Sequence, residues 1–532
     1  MMESPSGAVV VWVALTFGLS GIPADAQPAG AEWVTEAVSM PGLRQTVYES
    51  EAAGCPVSFH VYTPPVYAGS PDTRLPVLYW LHGHGGGVAG LRPLVRYFGA
   101  AMADGEMPPA VIVFPNGLAE GMWCDSVDGS TPVETILMDE IIPMVDAGYR
   151  TIASREGRLI EGFSMGGHGA ARLGFKYPDI FATVSILAGG PLTAELESAP
   201  GKDLRTSVET RTRILESVYG GDQAAFRERS PWTWAERKAQ VLRKGSRIRV
   251  VLGTRDDMQR ATAQFSEHLA TLGIPHCYSS LPDLGHEPIA VLRALGFGLY
   301  WQAFDQPGDT PLAVAGMHSV SLWHDERSRT YLAYVPKSPS PVPGYPIVMM
   351  LHGGGGNARA AMYETRWPAA AEAHGFIAVF PEGTRERPEE PASFLANQQT
   401  WNDGSPRPTL GAVERGVDDV ALIVRVLEDV GRRFPMDDDR IHATGFSNGA
   451  SMVFRLARDC PGLLASIAPV AGCDWLSDQP IVQPIPLLYI TGAQDPLNPI
   501  EGGELRIRNR SYGIKQPVHD TIESWAAAMG VA

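Results

Sequence analysis

The sequence predicts an α/β protein of two tandem doubly wound domains with mostly parallel sheets, the second cut short at its C-terminus. Three observations carry this. The chain has 532 residues, 44% of them hydrophobic, and single cores stop growing at about 250–300 residues. Short, nearly continuous apolar runs alternate with helical stretches, the pattern of strands buried on both faces. The same order of segments also occurs twice, so the chain is an internal repeat.

From the N-terminus, Ala8–Leu19 is an apolar stretch followed by Gly21, Pro23 and an Ala-x-Ala site at Ala24–Ala26. Its length is that of a signal-peptide h-region rather than a bilayer span. Residues 1–26 are therefore expected to be a signal peptide and the protein secreted or periplasmic, although Glu3 stands where a signal peptide normally carries Lys or Arg. The first domain is expected over 32–305. Its strand Leu75–Leu81 runs into the glycine loop His82–Gly87, and the strand Ala110–Pro115 is followed by Trp123-Cys-Asp125. The run Arg158–Glu161 then enters Gly162-Phe-Ser164-Met-Gly166, and Ile248–Leu252 ends at Gly253-Thr-Arg-Asp256.

The second domain is expected over 312–532 and repeats this order. Ile347–Leu351 enters His352–Gly356, Ile377–Pro381 precedes Trp401-Asn-Asp403, Arg440–Thr444 enters Gly445-Phe-Ser447-Asn-Gly449, and Leu487–Ile490 precedes Asp495. The Pro/Gly-rich stretch Gln306–Pro311 marks the boundary. A second Pro-rich run, Lys337–Gly344, reads as a hairpin loop between two strands. Residues 191 to about 245, rich in charge and helix formers, are placed as a cap over the first site.

Charge and cysteine content narrow the function. The formal charge is −16, from 59 acidic and 43 basic residues, with no basic run to track phosphates, so nucleic acid is not expected as a partner. No other stretch is long and apolar enough for a membrane span. The five cysteines, Cys55, Cys124, Cys277, Cys460 and Cys473, lack zinc-site spacing. Cys460 and Cys473 flank a strand, leaving a bridge or two buried thiols open.

Gly162–Gly166 fits the G-x-S-x-G elbow, in which flanking glycines let a serine stand exposed on a sharp strand-to-helix turn. A serine hydroxyl needs an oriented base, so an acid and a histidine should follow. Asp256, with Asp257 as its alternative, sits at a strand end, and His286 follows in Leu284-Gly-His286. His268 and His276, in or beside helical surroundings, fit a loop role less well. Two backbone N–H groups should receive the oxyanion of acyl transfer: that of Met165, and one from His84 or Gly85. Trp123 and Asp125 are candidates to line the substrate pocket, with core packing the alternative for the Trp. Serine acyl transfer is complete with these groups, so no metal or organic cofactor is expected.

Phe59 to His286, with Leu-His-Gly, Pro-Asn-Gly, Trp-x-Asp, Gly-Phe-Ser-Met-Gly-Gly and Gly-His in order, resembles secreted α/β-hydrolase esterases of the feruloyl esterase, acetylxylan esterase and esterase D group. From about residue 317 the chain resembles polyhydroxybutyrate depolymerase-like esterases, through Leu351-His-Gly-Gly, Trp401-Asn-Asp-Gly, Val417-Asp-Asp-Val, Gly445-Phe-Ser-Asn-Gly-Ala and Pro499-Ile-Glu-Gly-Gly503. The resemblance implies a serine carboxylesterase acting on small aromatic or acetyl esters and ester-substituted polysaccharide. Feruloyl esters are favoured, with acetylxylan or polyester as alternatives. It also places the catalytic histidine well beyond the acid. In the second copy Ser447 and Asp495 hold the nucleophile and acid positions, but the only later histidine, His519, lies in what reads as a helix start. That copy is expected to be inactive, to leave a sheet edge uncovered, and to serve binding or stability instead.

Overall fold

The computed structural model describes residues 32–531 apart from 70–71, 89, 197–205, 305–313, 326, 388–389, 391–392, 394–396, 408–409 and 508–509. The expected signal peptide and the expected domain boundary at 306–311 lie outside the described residues.

The first half contributes β1 (Leu43–Ser50), β2 (Cys55–Tyr62), β3 (Val77–Leu81), β4 (Val111–Pro115), β5 (Arg158–Phe163), β6 (Thr183–Leu187), β7 (Arg247–Gly253) and β8 (His276–Leu281). The second contributes β9 (Gly316–His324), β10 (Arg327–Val335), β11 (Tyr345–Leu351), β12 (Ile377–Pro381), β13 (Thr384–Arg385), β14 (Gln399–Thr400), β15 (Met436–Phe446), β16 (Ser466–Val470), β17 (Gly503–Ile507) and β18 (Arg510–Lys515). The order β1-β2-β4-β3-β5-β6-β7-β8 in the first half recurs as β9-β10-β12-β11-β15-β16 in the second. The strands from β3 to β8 run parallel, as do β12, β11, β15 and β16. β3 and β5 are buried along their whole length, as expected of strands covered on both faces.

The two halves do not carry separate sheets. β8 pairs antiparallel with β9, from His276↔Ser321 to Ser280↔Met317, and makes one sheet of 14 strands. An edge strand exposes unpaired N–H and C=O groups, and here each half satisfies the other's. Side chains reinforce the seam. Ser279 Oγ and the His318 ring share a 2.8 Å hydrogen bond, the Arg243 guanidinium lies 4.8 Å from the Trp323 ring centre, and Cys277 of β8 packs into the second half's core.

Three expectations are corrected or refined by the topology. Lys337–Gly344 joins β10 to β11, but β12 lies between them in the sheet, so it is a crossover loop and not a hairpin. The helices Val208–Tyr219, Gln223–Arg229 and Pro231–Leu242 form less a detached cap than a flank. Arg172, on the helix Met165–Lys176, donates to Arg229 O and to Trp123 O, both at 2.9 Å. All five cysteines are free thiols.

Beyond β16, Leu487 and Ile490 make only isolated bridges to Ile467 and Val470, and Leu488 and Ile490 stay exposed. Among the described residues no strand lies outside them. The helix Val518–Ala528 covers the opposite face, its Trp525 against Phe454.

Candidate active site

β5 delivers the chain to Ser164, which adopts φ 59° and ψ −120° before the helix Met165–Lys176 begins. A non-glycine residue in that region is strained and persists only where its surroundings hold it. Here Ser164 N–H donates to Leu187 O at 3.0 Å, while Ser164 O accepts from His168 N–H at 3.1 Å and Gly190 N–H at 3.0 Å. The flanking glycines are sterically required, because a Cβ on Gly162 would lie 2.2 Å from Gly166 O and one on Gly166 would lie 1.9 Å from Leu81 O.

Asp256 and His286 are brought together. His286 Nδ1 lies 2.6 Å from Asp256 Oδ2, and Asp256 Oδ1 accepts the Met258 N–H at 3.1 Å. An ionised carboxylate only accepts, so Nδ1 carries the proton and Nε2 is left with its lone pair. The loop bearing His286 lies across the end of β7, where Arg255 N–H donates to Leu284 O at 2.8 Å and only a glycine fits at Gly253, a Cβ there being 2.2 Å from Leu284 O. The His286 ring rests on Phe163, the residue before the serine, at 4.6 Å between centres. Asp257 is exposed, whereas Asp256 is buried. His276 is buried against Ser266, at 2.7 Å, and His268 stacks on Trp232.

The glycine loop packs on the nucleophile: a Cβ on Gly83 would approach Ser164 Cβ to 3.2 Å. Of the expected oxyanion donors, Met165 is the first residue of its helix, where the N–H has no intrahelical acceptor. Gly85 is corrected, because its N–H donates to Ala119 O at 3.0 Å and is not available. His84 N–H has no acceptor among the described residues, and its ring joins Glu120 at 2.9 Å, a carboxylate that also binds Arg213.

Trp123 takes the core-packing alternative, and Asp125 is turned to a helix start instead of a pocket. Trp123 is fully buried, its Nε1–H donating to His82 O at 3.2 Å. Asp125 caps the helix Val133–Thr135, its Oδ1 accepting from Glu134 N–H at 2.8 Å and Thr135 N–H at 3.0 Å. His82 is a residue the sequence reading passed over. Burial lowers its pKa to about 4, so the ring is neutral, with Nε2 accepting the Gly117 N–H at 2.9 Å and Nδ1 donating to Gly83 O at 2.8 Å. It thereby fixes the glycine loop. Its repetition as His352 was the available signal.

The second copy reproduces the frame, while among the described residues no histidine meets Asp495. Ser447 has φ 53° and ψ −117°, His352 spans Gly353 O and Gly383 N–H, and Gly355 N–H donates to Gln399 O at 2.8 Å. Asp495, however, accepts from Leu497 and Asn498 N–H groups. The exposed His519 pairs with Glu523 on its own helix at 2.9 Å. The two are not joined. Nearby, Glu382 accepts from Ala358 N–H and Gln399 Nε2–H, and burial lifts its pKa to about 7.

Residues 50–272 match the family described as "Putative esterase", and residues 329–522 match "Esterase PHB depolymerase". The chain carries two esterase-family domains in tandem. Among its relatives, the "Putative esterase NocK" of Nocardia uniformis subsp. tsuyamanensis is 33% identical over 181 residues, covering 33% of this chain and 48% of the relative. An endo-1,4-beta-xylanase/feruloyl esterase of Xylanibacter ruminicola is 30% identical over 162 residues, covering 29% and 22%. The chain thus spans about half the length of the first relative and about a fifth of the second. A solved ferulic acid esterase is 22% identical with a TM-score of 0.39, covering 46% of this chain and 91% of that one. No helix among the described residues is long and apolar enough to cross a membrane.

Proposed function

We propose that the first esterase domain is a serine carboxylesterase that hydrolyses hydroxycinnamoyl esters, feruloyl above all, of plant cell-wall polysaccharide. The observation that carries the reading is the 2.6 Å His286–Asp256 pair beside the strained Ser164 elbow. His286 Nε2 takes the Ser164 proton as Oγ bonds to the ester carbonyl carbon. The carbonyl oxygen becomes an oxyanion that receives the Met165 and His84 N–H groups. Collapse breaks the bond to the alcohol oxygen, which leaves with the proton from His286. Water, deprotonated by the same nitrogen, then bonds to the acyl carbon, and as the bond to Ser164 Oγ breaks His286 returns the proton to that oxygen, releasing the acid. The substrate class rests on the feruloyl esterase named among the relatives. Export rests on the apolar N-terminal stretch.

Acetylxylan is a second substrate within the same chemistry. The family match of the second domain favours polyester as a third, with that domain binding rather than hydrolysing. Hydrolysis of methyl ferulate and p-nitrophenyl acetate by the full chain, Ser164→Ala and Ser447→Ala tests the proposal. Loss of both activities in Ser164→Ala alone supports it, and the rate ratio ranks the acyl groups. Activity surviving Ser164→Ala refutes it.

A further inference from the structure

The turn that presents His286 is held from both halves of the chain. It leaves β8 at Leu281 and runs through Pro282, Asp283, Leu284 and Gly285 to the base. From the first half, the end of β7 holds it. Thr254 N–H donates to Leu281 O and Arg255 N–H to Leu284 O, both at 2.8 Å, and Asp283 N–H donates to Thr254 Oγ1 at 2.9 Å.

The second half closes the side that faces the seam. β8 pairs with β9 as far as Ser280↔Met317, which brings Gly316 beside the start of the turn. A Cβ on Gly316 would lie 2.8 Å from both Pro282 Cδ and Ser280 O, and its φ of 120° is one that glycine alone adopts readily. Glycine is what lets β9 begin against Pro282. Val314 joins the apolar cluster to which Leu281, Leu284 and Ile289 belong, together with the helix Pro288–Leu295 that follows the base. The His318 ring ties these parts across the seam. Its Nε2–H donates to Val314 O at 2.7 Å, because a carbonyl only accepts, and its Nδ1 receives the Ser279 O–H at 2.8 Å.

Asp283 is the point at which the halves meet through charge. Its φ of 62° lies in the left-handed region that Asp tolerates better than most residues. Its carboxylate lies 3.3 Å from Lys337 Nζ of the second half and 3.2 Å from Arg255 Nη2 of the first. Lys337 stands two residues beyond β10, and its backbone N–H donates to Glu372 at 3.1 Å. Both Lys337 and Asp283 side chains are more than half exposed. A pair so exposed adds little to global stability, so its effect on the reaction is separable from its effect on the fold.

We propose that the second domain is a positioning element for the first site, with Lys337 and the start of β9 holding the turn that carries His286, so that the rate at Ser164 depends on contacts across the seam. Lys337 is a positioning residue that acts through Asp283. The proposal rests on the reading of Ser164, Asp256 and His286 as the working triad, and it gives the second domain a role that is independent of any chemistry at Ser447. Reaction requires the participating atoms to be held within ~3–3.5 Å of one another. A turn that swings by a fraction of an ångström therefore costs rate before it costs fold.

The decisive variant is Lys337→Glu in the full chain, which sets a carboxylate against Asp283 at an exposed position. With methyl ferulate, kcat is expected to fall about threefold or more while KM and melting temperature stay unchanged, and Lys337→Arg keeps the wild-type rate. Asp283→Asn should lose a similar factor, and adding Lys337→Glu to it should cost nothing more, because residues that act through one contact are not additive. The 2.6 Å bond to Asp256 should place the His286 Nδ1–H proton far downfield in the NMR spectrum, assigned by its absence in His286→Gln. That resonance should shift or broaden in Lys337→Glu. An unchanged kcat, an unmoved resonance, a loss that tracks a lowered melting temperature, or a full further loss on the Asp283→Asn background overturns the proposal. If the wild-type chain hydrolyses no ester, the triad reading fails, and the resonance by itself still decides whether the second domain positions His286.

Discussion

Asp256→Asn isolates the orientation of the base from everything else in the site. The substitution changes one atom of the carboxyl group and keeps its size. Oδ1 can still accept the Met258 N–H, now 3.1 Å away. At the other position, however, an NH₂ group replaces the oxygen that lies 2.6 Å from His286 Nδ1. An amide NH₂ only donates, so the ring must present Nδ1 as the acceptor and carry its proton on Nε2. A histidine in that tautomer cannot take the serine proton. The loss expected for a wrong tautomer is about 10⁴-fold in kcat, or ~5 kcal/mol at 1.36 kcal/mol per tenfold, with little change in KM because substrate does not touch Asp256. The assay is steady-state hydrolysis of methyl ferulate, with circular dichroism to verify folding. Retention of more than about a tenth of wild-type kcat, or a larger loss in Asp257→Asn, would refute the assignment.

Three further outcomes follow from the same geometry. Gly83→Ala puts a methyl group 3.2 Å from both Ser164 Cβ and Phe163 O, and the resulting displacement should lower kcat about 10²-fold with a small change in melting temperature. Glu161, fully buried, accepts from Arg249 Nη2–H and Ser185 Oγ–H at 2.6 Å and from Tyr300 O–H at 2.8 Å. Glu161→Leu strands the Arg249 charge and should cost ~3–5 kcal/mol by urea denaturation, much of it recovered on adding Arg249→Met.

The third outcome concerns pH. Burial lowers His82, His168, His276, His318 and His352 to about 4, so below pH ~6.5 the unfolded chain binds protons that the folded chain does not. Their contribution is present above ~6.5 and lost as pH falls toward 4. Glu382, raised to about 7, acts in the opposite sense, its contribution being present below ~4.5 and lost as pH rises through 7. Urea midpoints should therefore fall from pH 6.5 to 4, and Glu382→Gln should gain on wild type at pH 8 but not at pH 4. A flat profile in the acid range, or no gain at pH 8, would show that these groups are not desolvated as described.

The sequence by itself determined the repeat and the α/β class, and it pointed to the Ser164 elbow and to Asp256 and His286, which the fold brings together, because each is written in local pattern. Buried parallel strands are continuous apolar runs, and the elbow needs glycine on both sides of Ser164 for contacts made within a few residues or with the neighbouring strand. His519 was likewise legible as a helix-start residue, and it pairs with Glu523 on its own helix. Only the tertiary structure decided what depends on which group meets which. Trp123 and Asp125 look identical in sequence whether they face a pocket or serve the core, and it is the hydrogen bonds to His82 O and to the Glu134 and Thr135 N–H groups that assign them to packing and capping. Gly85 and His84 are adjacent in one loop, and the Ala119 carbonyl that engages the Gly85 N–H lies on another. The joining of the halves through β8 and β9 was equally hidden, because alternation along a strand sets which face is apolar but leaves open which edge it pairs with. Phe163 is covered by the His286 ring, which a loop more than a hundred residues away in the chain brings to it.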